Sequence, residues 1–236
     1  MSIKLTAAEL AKYFDHTALK AEITAKDILA LCEEAKMLGT AAVCVNPLWI
    51  PLAGQILRGT TVMPITVVGF PLGAMGAESK IFEAKAAVSA GAKEIDMVLS
   101  VGELKSKMFE EARRDIVGVK KAIGSVPLKV IFETSLLTPD EITMVSKWCA
   151  EDGIDFVKTS TGFGSRGASV EDIKIMHEAI QSVKGSKTKI KASGGIRTLK
   201  DTLALIEAGA SRIGASATKS IVQELEGGLA DQRKGY

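Results

Sequence analysis

Short apolar runs alternate with amphipathic stretches along most of this chain. Eight of the runs have strand length: Tyr13–Thr17, Ala41–Val45, Ile65–Gly69, Glu94–Leu99, Leu128–Glu133, Asp155–Thr159, Lys189–Ser193 and Arg212–Ala215. Between most of them, apolar residues recur at helical spacing, as in Ile28, Leu31, Cys32, Ala35 and Leu38, or Ile173, Met176, His177 and Ile180. Helix starts are marked by Thr6 with Glu9, by Thr138-Pro139-Asp140-Glu141, by Ser169 with Asp172 and by Thr198 with Asp201. Gly39, Gly91, Gly153 and Gly209 stand just before the second, fourth, sixth and eighth runs, where a helix would end. This helix–Gly–strand rhythm suggests repeated βαβ units and a parallel sheet. Eight such units in a chain of this length predict a single-domain α/β fold over residues 1–236. The expected architecture is a (β/α)₈ TIM barrel preceded by a short N-terminal helix. An open doubly wound sheet is the alternative, but the GxGxxG fingerprint after its first strand is absent.

Composition narrows the setting. Hydrophobic residues make up 47% of the 236 and charged residues 25%, enough for a core without disulfides. The net charge is +2 and no long basic run occurs, so nucleic acid is not the expected partner. No apolar run reaches the length of a membrane span, and the first residues lack a signal-peptide core. Three cysteines without CxxC spacing suggest reduced thiols and a cytoplasmic location. With two histidines and no ligand-spaced Cys/His/Asp cluster, neither a metal nor another cofactor is expected. A homo-oligomer is expected, with a dimer favoured.

In a barrel of this kind the chemistry sits at the carboxyl ends of the strands. Lys158 ends the sixth run and Lys191 the seventh, each before a loop of small residues. A lone strand-end lysine is usually solvated, and Lys187, Lys189 and Lys191 share one face by alternation. Two lysines on adjacent strands are another matter. Their ammonium groups would point into one mouth and repel, lowering the pKa of the less solvated amine. A neutral amine can attack a carbonyl and form a Schiff base. Asp96, between apolar neighbours in the fourth run, should face the same interior as an ion-pair partner or a proton relay. Cys44 reads better as a small core residue than as a nucleophile, and His177 reads as structural. Asp15-His16-Thr17 can add polar contacts at the end of the first run. Gly194-Gly195 and Gly214-Ala215-Ser216 follow the last two strands, where barrels often bind phosphate.

At these residues the chain resembles the deoxyribose-phosphate aldolase family over nearly its whole length. The segments that carry the likeness include Asp15-His16-Thr17, Val43 to Pro47, Val68 to Gly73, Glu94 to Val98, Lys129 to Thr134, Phe156 to Phe163, Lys191 to Arg197 and Arg212 to Ser216. The resemblance implies reversible cleavage of 2-deoxy-D-ribose 5-phosphate to D-glyceraldehyde 3-phosphate and acetaldehyde. It implies Lys158 as the Schiff-base lysine, Lys191 as its tuning neighbour and Asp96 as the proton relay. Asp15, Thr17, Cys44 and Thr161 would belong to the substrate pocket. Gly162, Gly194, Gly195, Gly214 and Ser216 would lie on the phosphate side. Some relatives carry a lysine where this chain has Phe163, and Arg166 is the residue nearby that could replace its charge. Tyr236 matches a C-terminal tyrosine of relatives. Two other readings remain open at this point: a non-catalytic sugar-phosphate-binding barrel, and a Schiff-base aldolase for a different phosphosugar.

Overall fold

A computed structural model describes residues 4–227. The chain begins with a short helix, α1 (Ala7–Ala11), held by a capping box between Thr6 and Glu9. Eight parallel strands then close on themselves in chain order: β1 (Phe14–Ala18), β2 (Ala42–Val45), β3 (Met63–Val68), β4 (Ile95–Val98), β5 (Leu128–Ile131), β6 (Phe156–Lys158), β7 (Lys189–Ser193) and β8 (Arg212–Ala215). The helices between them are α2 (Ala25–Leu38), α3 (Ile50–Ile56), α4 (Ala77–Ser89), α5 (Val101–Lys105), α6 (Phe109–Ile123), α7 (Pro139–Glu151), α8 (Val170–Gln181) and α9 (Leu199–Glu207), with α10 (Thr218–Leu225) after the last strand. This is the TIM barrel that the alternation predicts, and the eight expected runs are its eight strands.

Boundaries differ by one or two residues. The largest difference is at β3, which starts at Met63 and takes in Pro64. The N–H that proline lacks would face the β4 side of the ladder, where pairing begins only at Thr66 and Ile95. The four expected helix-stop glycines all have positive φ, and Gly39 caps α2 in the left-handed region at φ 69°. The caps expected at Thr138, Ser169 and Thr198 each accept the expected backbone N–H.

Alternation along the strands makes two cores. Phe14, Val43, Val45, Val68, Ile95, Met97, Leu128, Val130, Val157, Ile190, Ala192 and Ile213 point outward and pack under the helices. Inside the barrel, the apolar side is small: Leu19, Ala42, Cys44, Ile65 and Val67. The opposite side carries Asp15, Asp96, Lys129, Lys158 and Lys191, all buried. A barrel is usually filled with branched aliphatic side chains. Burying this many charges costs several kcal/mol each unless they are paired. The interior has therefore given up apolar packing for a polar network. His177, expected in the apolar stripe of α8, is exposed; the buried stripe is Asp172, Ile173, Met176, Ala179 and Ile180.

Candidate active site

The site is a column of charge running up the inside of β1 and β4–β8. Register places Lys158 of β6 directly beside Lys191 of β7, and Asp96 beside Lys129. Asp96 is the hub. Its Oδ1 accepts from Lys129 Nζ at 2.7 Å, and its Oδ2 accepts from Lys158 Nζ at 2.8 Å and Lys191 Nζ at 2.7 Å. Lys191 also donates to Asp15 Oδ2 at 2.5 Å, and Asp15 Oδ1 accepts from Arg212 at 2.7 Å. Glu94 completes the lower layer, 2.5 Å from Lys129 and 3.5 Å from Arg212.

Three carboxylates thus meet four basic side chains. A buried cluster is least costly when its charges balance, which leaves room for one uncharged base. The electrostatics select which one. Burial raises the cost of charge on Asp15, but Lys191, Arg212 and Lys129 outweigh it and bring its pKa down to about 2. Asp96 is likewise buried, and its three lysines hold it well below the usual carboxylate range. Burial alone would lower Lys191, yet Asp15 and Asp96 push its pKa upward. Lys158 goes the other way. Burial lowers its pKa, Asp96 opposes that, and the neighbouring Lys191 charge lowers it further. Lys158 is therefore the base most readily neutral. Repulsion between the lysines contributes as expected, but burial is the larger cause.

Lys158 is also the lysine of this network that reaches a cleft. The cleft lies at the carboxyl ends of the strands. Its lining brings together Thr17, Lys158, Thr161, Gly162, Gly194, Gly195, Gly214 and Ser216, all expected at the site. Asp96, Lys191, Asp15 and Cys44 do not line it; they lie buried in the barrel interior. Cys44 sits in the small apolar group of the barrel, and burial pushes its thiol up to about 11. Ala215, within the expected glycine segment after β8, lines the cleft too, and so do Leu19, Ser193, Ile196 and Arg197, which were not expected there.

Local backbone structure holds this arrangement. Thr159 Oγ1 donates to Ser193 O and accepts from Ser193 N, both at 3.0 Å, while Ser193 Oγ donates to Ser160 O at 2.5 Å. These bonds join β6 and β7 just past their lysines. Gly214 serves Lys191 sterically: a Cβ there would lie 3.0 Å from Lys191 Cε and 3.0 Å from Ser193 Cβ. Gly194, at φ 88°, lets the loop after β6 lie against it, with Ala168 N donating to its carbonyl at 3.1 Å. Thr161 bonds Glu133 through both its N–H and its hydroxyl. Glu133 itself has φ 55°, a left-handed conformation uncommon for a residue with a Cβ. Arg166 does not take the place of the missing lysine. It is paired with Asp172 and the carbonyls of Thr134 and Gly167. Phe163 packs edge-on against Phe70, with centroids 5.3 Å apart. Tyr236 lies outside the described residues.

Among the described residues, no group of three or more His, Cys, Asp or Glu is placed to hold a metal ion, and no helix is long and apolar enough to cross a membrane. A parallel barrel with a desolvated amine at its carboxyl end is built to act on carbonyl compounds. Sequence comparison agrees. The DeoC/LacD family aldolase model matches residues 9–224, so the chain belongs to that family. Its class is that of the carbon–carbon lyases. The deoxyribose-phosphate aldolase of Mannheimia succiniciproducens is 50% identical over 228 residues, covering 97% of this chain and 98% of its own. A crystal structure assigned to the same enzyme, from Coccidioides immitis, superposes with a TM-score of 0.91 at 42% identity, over 94% of this chain and 87% of that one. The deoxyribose phosphate aldolase of Aeropyrum pernix, described as tetrameric, gives a TM-score of 0.86 at 28% identity, over 94% and 92%.

Proposed function

We propose that this aldolase reversibly cleaves 2-deoxy-D-ribose 5-phosphate to D-glyceraldehyde 3-phosphate and acetaldehyde through a Schiff base on Lys158. The observation that carries the reading is a buried amine, Lys158, that reaches a cleft and shares Asp96 Oδ2 with a second buried lysine, Lys191; burial and that neighbour both favour its neutral form. The neutral Nζ attacks C1 of the open-chain sugar and forms a carbinolamine, which loses water to give an iminium ion. Loss of the proton from the C3 hydroxyl lets C3 become a carbonyl. The C2–C3 bond breaks, and its electrons pass to the iminium as an enamine. Protonation of C2 and hydrolysis then release acetaldehyde and free Lys158. Proton transfers need a donor that holds its proton at neutral pH yet lies close by. Lys191 fits that need, with Asp96 Oδ2 accepting from both lysines. Asp15 anchors Lys191 from below, and Cys44 packs without taking part.

The phosphate end follows from the glycine-rich part of the cleft lining. There Gly162, Gly194, Gly195, Gly214 and Ser216 line the wall with Arg197. The amino end of α10 follows at once, and its N-cap, Ala217, offers no side-chain hydrogen bond. Such an end presents N–H groups and a partial positive charge to an anion. Thr17 and Thr161 also line the cleft, and their hydroxyls would serve the sugar. A binding barrel without catalysis would have no use for the desolvated amine. The test is a coupled assay for glyceraldehyde 3-phosphate, run on deoxyribose 5-phosphate and on free deoxyribose. Two charge-assisted bonds to phosphate are worth about 1.5–3 kcal/mol each, so the phosphorylated sugar should be favoured by about a hundredfold or more in kcat/KM. Failure to release glyceraldehyde 3-phosphate would refute the substrate.

A further inference from the structure

We propose that His16 is a positioning residue that sets the phosphate end of the cleft, an inference that rests on the phosphate reading above. β1 turns Asp15 and Thr17 into the barrel and His16 outward, where its side chain is buried beneath the helices. The ring bridges two elements. Nδ1 lies 3.0 Å from Thr218 Oγ1, and Nε2 lies 3.1 Å from Glu34 Oε1 on α2. Glu34 Oε2 also takes Lys219 Nζ at 3.4 Å. Two successive residues of the first turn of α10 are thereby tied to α2, Thr218 through His16 and Lys219 directly. Thr218 Oγ1 also donates to Ala215 O at 3.1 Å, closing the turn that carries Ser216 and Ala217.

α1, α2, α7, α8 and α9 each start with a Thr or Ser side chain that accepts a backbone N–H of the first turn. α10, like α3, α4, α5 and α6, starts without one. A side-chain cap there would occupy donors that an anion could use. Without a cap, the first turn takes its position from the ring of His16 behind it. Ser216 and Ala215 face the cleft on the other side of that turn. His16 therefore acts on the phosphate end; the bonds that Lys158 and Lys191 donate to Asp96 do not pass through it.

The experiment compares deoxyribose 5-phosphate and free deoxyribose as substrates for wild type, His16→Ala, His16→Asn and Thr218→Val. His16→Ala should raise KM for the phosphorylated sugar about tenfold, the scale of one lost hydrogen bond, with kcat within about twofold. Its kcat/KM on free deoxyribose should not change. Asn keeps a polar atom near the Nδ1 position, so His16→Asn should recover most of the affinity. Thr218→Val preserves volume and should reproduce the KM rise, and the His16→Ala/Thr218→Val double variant should add little to either. Equal losses on both sugars in His16→Ala and Thr218→Val would show a merely structural role and overturn the inference. A phosphate preference left intact in both would also overturn it. Equal efficiency of the wild type on the two sugars would instead overturn the phosphate reading, and this inference with it.

Discussion

Replacing Lys191 by methionine separates the tuning of Lys158 from its placement. Both Nζ atoms donate to one oxygen of Asp96, at 2.8 and 2.7 Å, so they lie no more than about 5.5 Å apart. At an effective dielectric of about 20, two like charges at that distance repel by about 3 kcal/mol, or about two pKa units. Lys191→Met removes this repulsion and leaves Asp96 with one cation fewer. Lys158 should titrate higher, and its neutral fraction near pH 7 should fall, by at most about a hundredfold for a repulsion of that size. The sign is definite: a raised amine pKa means more ammonium at a given pH, so the residual rate should climb about tenfold per pH unit until the new pKa is passed. Lys191→Arg keeps the charge in a bulkier fork, so activity should fall for geometry while the alkaline shift stays smaller. The assay is kcat/KM against pH for wild type and both variants. A wild-type profile with most activity retained in Lys191→Met would refute the reasoning and leave burial as the sole cause of Lys158 activation.

Asp15 should make the fold acid-sensitive. Its pKa falls from 3.8 to about 2 on folding, so the stabilisation, about 2 kcal/mol, is present above pH 4 and is lost as pH falls through 2. Urea midpoints across pH 2–5 should show that loss in wild type and a flatter profile in Asp15→Asn, which should also be less stable at pH 7 by about 3–5 kcal/mol because Lys191 and Arg212 lose their partner. Gly214→Ala should displace Lys191 and cut kcat at least tenfold, for a stability loss of about 1–3 kcal/mol in thermal unfolding; full activity there would show that Lys191 has slack. Cys44, with its thiol pushed up to about 11 by burial, should resist iodoacetamide in the native protein at pH 8 and react on unfolding, as mass mapping will show.

Much of this could be read before any coordinates. The periods of the apolar runs gave the strand count, and the caps at Thr6, Thr138, Ser169 and Thr198 gave helix starts, because these signals are local. The pairing of Lys158 with Lys191 followed from strand adjacency and end position. What escaped notice depends on depth within the barrel. Lys129 and Arg212 sit on the same inward faces as Lys158 and Lys191, but alternation gives direction and says nothing of height. Lys189 shares the face of Lys191 and is exposed, while Lys191 is fully buried. The resemblance put Asp15 and Cys44 in the pocket; both are buried inside the barrel and do not line the cleft. Arg197 and the Glu133–Thr161 contact sit in loops, where no period exists to be read.

The most direct test of the central claim is covalent trapping. The protein is incubated with acetaldehyde, reduced with borohydride, digested and mapped by mass. A two-carbon ethyl adduct is expected on Lys158, abolished in Lys158→Leu and present in His16→Ala. An adduct confined to other lysines, or equal labelling of Lys158→Leu, would contradict that claim.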